Sequence, residues 1–94
     1  MAVSMSNIAV LLNVDEKRVP SALQEAADGL EGSGEAVLDF SSVRRIDSAA
    51  LRALEDFVRV AEGKAVKIVL RNVSVDVFKV LKLVKLTQKL SFVN

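Results

Sequence analysis

Apolar residues follow two different patterns along this chain. Four short runs are rich in apolar residues and have the length of strands. These runs cover residues 7–14, 36–43, 66–73 and 90–94. Between them, apolar residues recur every three or four positions, which predicts amphipathic helices over residues 20–32, 48–63 and 75–86. Strands that alternate with helices are typical of βαβ units, so we predict an α/β fold with a largely parallel sheet covered by helices.

Polar residues and glycines indicate where the first two helices begin and end. Ser21 and Gln24 have the spacing of a capping box at the start of the first helix, and Gly32 is a typical stop signal after it. The second helix is predicted to begin at Ser48 and to end at Gly63. Its apolar and charged stripes are the most regular in the chain.

The third helix, which Ser74 can cap, presents two different faces. Its apolar residues at helical spacing are predicted to face the core, and they are Val77, Phe78, Leu81 and Val84. The basic residues are predicted to point outward, and they are Lys79, Lys82 and Lys85, with Lys89 beyond. A lysine row of this kind is usually a solvated helix face, and a docking surface for an acidic partner is the alternative.

The composition limits the classes of function. The 94 residues suffice for one domain, which we assign to residues 1–94 with residues 1–6 expected to be disordered. Since the formal net charge is only +1 and Trp and Tyr are absent, we expect neither direct binding to nucleic acid nor direct insertion into a membrane. The apolar runs are too short for a membrane span, and the lack of cysteine fits a reducing compartment. We therefore expect the protein to be cytoplasmic.

The side chains that most often carry catalysis are missing. The chain has neither histidine nor cysteine, so the common general base and the common activated nucleophiles cannot be assembled. Zinc–thiolate sites are excluded for the same reason. We therefore expect a protein that is not an enzyme, with no catalytic residue, no metal site and no cofactor.

Asp47 and Ser48 stand at the entrance to the second helix and allow two interpretations. In the first, a short oxygen-bearing side chain accepts hydrogen bonds from the free amides of the first turn and only caps the helix. In the second, Ser48 is phosphorylated, because a helix N-terminus tolerates an anion. A phosphate adds about −1.5 to −2 charges. Asp47 would repel it, and Arg44 and Arg45 could partly compensate.

Two other groupings carry less information. Asp15 and Glu16 follow the first strand, as the acidic pair of response-regulator receiver domains does. Those domains also need an acceptor aspartate after the third strand, where this chain has Arg71 and Asn72. The glycine-containing segment 29–35 has neither a dinucleotide fingerprint nor the lysine of a phosphate-binding loop, so we interpret it as a connector.

The segment AVLDFSSVRRIDSAALRAL resembles the signature of the STAS domain family, in which an apolar strand with LDLS precedes DSSGL or DSTGL at a helix start. VKIVLRNVSVDVFKVLKLVKL is similar to the fourth strand and following helix of that family, and LLNVDEKRVPSALQEA to an upstream segment. The most specific part runs from Asp39 to Leu51. The resemblance implies a STAS-like single domain with a four- to five-stranded, mostly parallel or mixed sheet flanked by about three helices.

The resemblance also implies a function. In anti-sigma factor antagonists, the serine after the aspartate is phosphorylated by a kinase that is also the anti-sigma factor, and phosphorylation releases that partner. Ser48 occupies the phosphoacceptor position. The partner-binding residues implied for this chain are Arg44, Arg45, Asp47, Ser48, Ala49, Ala50, Leu51 and Arg52.

A second branch of the family fits as well. The small STAS subunit of phospholipid-transport ABC systems is similar over VRRIDSAAL, and there the same helix start contacts the transporter ATPase. A third hypothesis is that Ser48 only caps the helix and the domain is a sensory or scaffold fragment. In any of these cases, open sheet edges could be covered by a partner or by a second copy in a homodimer.

Overall fold

The computed structural model describes residues 8–30 and 34–93. The main elements alternate in the order β1 (Ile8–Asp15), α1 (Val19–Asp28), β2 (Glu35–Ser42), α2 (Ser48–Gly63), β3 (Lys67–Arg71), α3 (Val75–Leu83) and β4 (Ser91–Val93). Short 3-10 helices at Glu16–Arg18 and Leu86–Lys89 precede α1 and β4. The predicted disordered segment 1–6 and the predicted stop signal Gly32 lie outside the described residues.

Within the described residues the sheet has four strands, all parallel, in the order β1-β2-β3-β4. This confirms the predicted α/β fold. Each crossover connection therefore leads to the next strand on the same side of the previous one. Because such connections are right-handed, all three helices lie on one face of the sheet.

The core lies between that face and the helices. In β2 and β3, alternate side chains such as Leu38 and Leu70 are fully buried in one cluster, to which all three helices contribute. Val37 and Val69 alternate to the opposite face and are buried outside that cluster. The described part of the chain is thus a two-layer α/β domain whose helix starts all lie at the carboxyl ends of the strands.

The start of α1 differs from the prediction. The helix begins at Val19, directly before Pro20, and its N-cap position has no side-chain hydrogen bond. Ser21 Oγ instead donates to the carbonyl of Arg18 at 3.3 Å, so the capping box is wrong. Proline suits the first turn because its missing N–H would have no helical partner there, and it starts the helix without a cap.

The inward face of α3 is narrower than predicted. Val77 and Leu81 are fully buried, as expected, but Phe78 and Val84 are 39% and 38% exposed, so their predicted burial is wrong. The helix ends at Leu83, and Lys85 then adopts a left-handed conformation with φ 64°. The chain is thereby diverted into the 3-10 turn before β4.

Candidate functional site

The candidate site is the loop from Val43 to Asp47 together with the first turn of α2. This loop follows the carboxyl end of β2, the edge at which parallel α/β folds usually place their binding loops. Val43 fixes its start, since the side chain is 1% exposed and the backbone N–H donates to the carbonyl of Phe40 at 2.9 Å.

Two side chains from neighbouring crossovers hold the backbone of the loop. Glu16 Oε1 accepts hydrogen bonds from the backbone N–H groups of Arg44, at 2.6 Å, and Arg45, at 3.3 Å. On the other side, Ser74 Oγ donates to the carbonyl of Arg44 at 3.1 Å and accepts from the N–H of Val77 at 3.2 Å. The loop is therefore tied to the entrances of both α1 and α3, which leaves the two arginine side chains exposed.

The sequence pattern does not show that Glu16 and Ser74 contact this loop. It presents Glu16 as half of an acidic pair and Ser74 as the cap of α3. The topology of the sheet is the feature from which both contacts could be predicted. In a parallel sheet the segments after β1, β2 and β3 meet at one edge, so polar residues that begin those segments are expected to contact one another.

Asp47 is the N-cap of α2. Its backbone is extended (φ −91°, ψ 179°), and its carboxylate accepts from the N–H of Ala50 at 2.8 Å. The carbonyl of Asp47 accepts the first helical bond, from the N–H of Leu51, at 2.8 Å. This is the geometry in which a short acidic side chain satisfies a free amide and also complements the positive end of the helix.

Ser48 is the first helical residue and is exposed. Because Asp47 supplies the cap, the Ser48 hydroxyl is not needed for it, and within residues 8–30 and 34–93 that hydroxyl makes no hydrogen bond to another residue. The structure therefore confirms the expected cap, but it is supplied by Asp47 and not by Ser48. The Ser48 hydroxyl is exposed to solvent.

The small residues that follow do not share one environment. Ala49 is exposed, whereas Ala50 is 4% exposed and belongs to the core cluster. Leu51 is partly buried against the same core, and Arg52 is exposed. The structure thus places Ala49 and Arg52 where a partner can reach them and places Ala50 beneath them.

Charged residues precede and follow the exposed serine along the chain. Arg44, Arg45 and Asp47 are exposed on the loop before it, and Arg52 is exposed one helical turn after it. In β2, the backbone amide of Ser41 donates to Asp39 at 2.9 Å and, with smaller contributions from the Ser41 hydroxyl, Asn72 and Arg71, holds the pKa of the Asp39 carboxyl below its usual value. The end of β2, the loop that follows it and the start of α2 therefore carry both positive and negative side chains.

A groove between α1 and α2 begins at the site. Its volume is about 440 Å³, and Ala49 and Arg52 line its end nearest the loop. Ala53 and Ala27 keep it open, and Asp28 lies farther along it. The first turn of α2 therefore borders a concave surface as well as the exposed loop.

The described residues contain no group of three or more acidic, histidine or cysteine side chains that could hold a metal ion. Among the helices that the structure describes, none is long and apolar enough to cross a membrane. Together these features define a two-layer α/β domain whose accessible chemistry is an exposed serine beside a capped helix start.

Comparison with known proteins identifies the family. The family model described as "Mlab, STAS domain" matches residues 13–93, and the chain belongs to the STAS domain family. The fold is similar to that of a protein from Thermotoga maritima described as a candidate anti-sigma factor antagonist, solved by crystallography at 1.59 Å. The TM-score is 0.72 at 18% identity, over 96% of this chain and 81% of that chain. No curated protein matches the chain significantly.

Proposed function

We propose that this protein is a non-catalytic regulatory domain that binds a protein partner through the α2 surface, defined here as Arg44, Arg45, Asp47, Ser48, Ala49 and Arg52. The partner is an ATP-binding anti-sigma factor that is also a serine kinase, and phosphorylation of Ser48 releases it. The observation that carries the proposal is the separation of roles between Asp47, which caps α2, and Ser48, whose hydroxyl is exposed and unused. An ATP-dependent partner of this kind places the domain in the cytoplasm.

A phosphate on Ser48 changes this surface without disturbing the helix. The modification adds about −1.5 to −2 charges at the first helical position, where the helix dipole favours an anion. Asp47 repels the added charge, while Arg44 and Arg45, exposed on the preceding loop, attract it and become less available to a partner. The net positive charge of the α2 surface, which has three arginines and one aspartate, is therefore largely cancelled while the fold persists.

The test begins with affinity capture of the tagged chain from its source cell, followed by mass spectrometry of the partner and of Ser48. The captured partner is then titrated with the wild type, Ser48→Asp and Ser48→Ala. We expect Ser48→Asp to weaken binding about 5- to 150-fold, the usual range for such coupling. Ser48→Ala should keep the affinity of the unphosphorylated wild type after incubation with partner and ATP, whereas the wild type should lose affinity under that treatment. Identical titration curves for the wild type and Ser48→Asp contradict the switch.

Constitutive docking on the ATPase of a phospholipid-transport ABC system is the second candidate. The observation that favours it is the exposed methyl group of Ala49 at the rim of the α1–α2 groove, which allows close approach without any modification. Under this function an ABC ATPase is captured with Ser48 unmodified, and Ser48→Asp has little effect. Ala49→Trp then abolishes docking, whereas Glu25→Trp, at an exposed position on α1, does not. Undiminished docking of Ala49→Trp rejects this candidate.

A further inference from the structure

The side of α3 that points away from the core combines exposed apolar side chains with a net positive charge. Val77 and Leu81 are fully buried, and at 100° per residue the opposite side of the helix carries Val75, Asp76, Lys79, Lys82 and Leu83. We call these five residues the outer α3 face. Val75 is 68% exposed and Leu83 is 81% exposed, the largest values among the exposed large apolar side chains that the structure describes.

Apolar exposure is concentrated in this part of the molecule. All but one of the large apolar side chains exposed in the described residues lie in the segment 75–93, and they are Val75, Phe78, Leu83, Val84 and Val93. Scattered apolar side chains on a surface need no explanation, but Val75, Phe78 and Val93 line one pocket together, and such a contiguous group usually marks an interaction site. The sequence pattern assigned Phe78 and Val84 to the core, so their exposure is a property of how α3 packs.

The same segment carries a local excess of positive charge. It contains four lysines and a single acid, Asp76, although the whole chain is nearly neutral. Lys89 is neutralised by Glu62, with Nζ and Oε2 2.9 Å apart. Lys79, Lys82 and Lys85 are exposed and form no salt bridge with any described residue.

The outer α3 face adjoins the α2 surface at Asp76. Arg45 and Ile46 of the loop line a shallow pocket together with Asp76 and Val80 of α3. The hydrogen bond from Ser74 Oγ to the carbonyl of Arg44 fixes the start of α3 against the same loop. A partner that covers Ser48 and Arg45 therefore meets α3 as the next element of the domain.

We propose that the outer α3 face is a second contact region for the partner of the α2 surface, and that it takes a segment of that partner with acidic and aliphatic side chains. This inference rests on the proposed function, since it assigns chemistry to the same partner. Aliphatic groups would cover Val75 and Leu83, and carboxylates would pair with Lys79 and Lys82. The two kinds of contact are interleaved on one face, which gives both affinity and selectivity for an acidic surface.

Site-specific photo-crosslinking in the source cell tests the proposal. The photoreactive amino acid p-benzoylphenylalanine is placed at Leu83, at Arg52 on the α2 surface, or at the control position Glu25 on α1. We expect the Leu83 and Arg52 positions to give adducts with the same protein, and the peptide joined to the Leu83 position to be acidic. An adduct at Arg52 with none at Leu83 overturns the second contact region and leaves the proposed function intact. Absence of adducts at both positions contradicts the proposed function itself.

Other occupants of the outer α3 face would give different crosslinking products. A Leu83 adduct with the mass of a dimer identifies a second copy, and an adduct with lipid identifies a membrane surface. Either result overturns the proposal.

Charge reversal provides the second measurement, with the adduct yield of the Leu83 position as the readout. Lys79→Glu together with Lys82→Glu should lower that yield about tenfold, since each lysine paired at a surface is worth up to about fivefold in affinity. The control Lys67→Glu lies at the amino-terminal end of β3, remote from α3, and should leave the yield unchanged. Equal yields for the double variant and the wild type show that the lysines do not recognise an acidic segment, and they overturn the proposal.

Discussion

At the scale of single residues, adjacent positions at the start of α2 have different tasks. Asp47 stabilises the helix through its bond to the N–H of Ala50, while Ser48 contributes an exposed hydroxyl. The sequence shows that a cap and a phosphoacceptor are both possible there, but it does not show which residue takes which role. The choice depends on the extended backbone of Asp47, which fixes the register of the helix by one position.

This division of roles gives a stability prediction. Asp47→Ala removes the cap and should lower the free energy of unfolding by about 1 kcal/mol, within the usual range for lost N-caps. Ser48→Ala should change it by less than about 0.5 kcal/mol, as is usual for exposed substitutions without a partner. Urea denaturation of the two variants beside the wild type measures both values. A larger loss for Ser48→Ala than for Asp47→Ala would mean that the serine is the cap.

Ala49 and Ala50 differ in a way that spacing alone did not reveal. The family resemblance assigned both to the partner contact, yet the Ala50 side chain is enclosed by the core. A bulky residue at Ala50 would overpack the interior and lower stability, so a loss of docking there would say nothing about the interface. Ala49 is the position at which added bulk reports on docking alone.

At the scale of elements, the end of α2 has a glycine at a helical position, where alanine is more favourable, and an alanine at a left-handed position, where glycine is more favourable. Gly63 is the last helical residue and has open space around its position for a side chain, whereas Ala65 adopts the left-handed conformation with φ 58°. The N–H of Val66 bonds to the carbonyl of Ala61 at 2.8 Å and the N–H of Ala65 to that of Glu62 at 3.2 Å. These are the bonds of a Schellman motif, which normally has glycine at the left-handed position.

Exchanging the two residues should stabilise the domain. Gly63→Ala should contribute about 0.5–1 kcal/mol through the lower chain entropy of the unfolded state. Ala65→Gly removes a left-handed cost of about 1–2 kcal/mol, partly offset because glycine makes the unfolded chain more flexible. The double variant should therefore melt several degrees higher than the wild type in a thermal scan. A lower melting temperature for Ala65→Gly alone would contradict the argument from backbone strain.

The elements also show what a sequence can and cannot predict. The position of α2 and its end at Gly63 were predicted correctly, because its apolar stripe is long and regular, whereas the sequence did not distinguish Asp47 from Ser48 at its start. The start of α1 was not, since Pro20 competes with a plausible capping box. For α3, the apolar spacing gave the correct direction of Val77 and Leu81 but overestimated the width of the buried face, which depends on how far the sheet extends beneath the helix. With β4 only three residues long, Phe78 meets the edge of the sheet.

At the scale of the whole molecule, the strand order connects the fold to the site. Consecutive parallel strands bring the entrances of α1, α2 and α3 to one edge, and that proximity lets Glu16 and Ser74 hold the loop before Ser48. The alternation of strands and helices predicted the parallel sheet, but not these two contacts. Their partners are 28 and 30 residues away in sequence, so only the assembled fold brings them together.

The same strand order predicts a gradient of stability across the sheet. Among the described strands, β2 pairs on both sides, with β1 and β3, whereas β4 pairs with β3 alone and has three residues. Phe92 packs edge-to-face on Phe78 with ring centroids 5.1 Å apart, a contact worth about 0.5–1.5 kcal/mol. Amides of β2 should therefore exchange with solvent only through global unfolding, and those of β4 through a local opening of lower free energy.

Hydrogen exchange of the wild type and Phe92→Ala measures this gradient. We expect the variant to speed exchange in β4 and in the 3-10 turn Leu86–Lys89, by up to about tenfold for a loss of about 1.4 kcal/mol, beyond any change in β2. Equal acceleration in β2 and β4 would mean that the sheet opens as one unit. If the gradient is present, the outer α3 face lies on the part of the domain that opens most readily. A partner that binds there should then slow exchange in β4 more than in β2. Comparing hydrogen exchange with and without the partner would therefore show whether docking involves the outer α3 face.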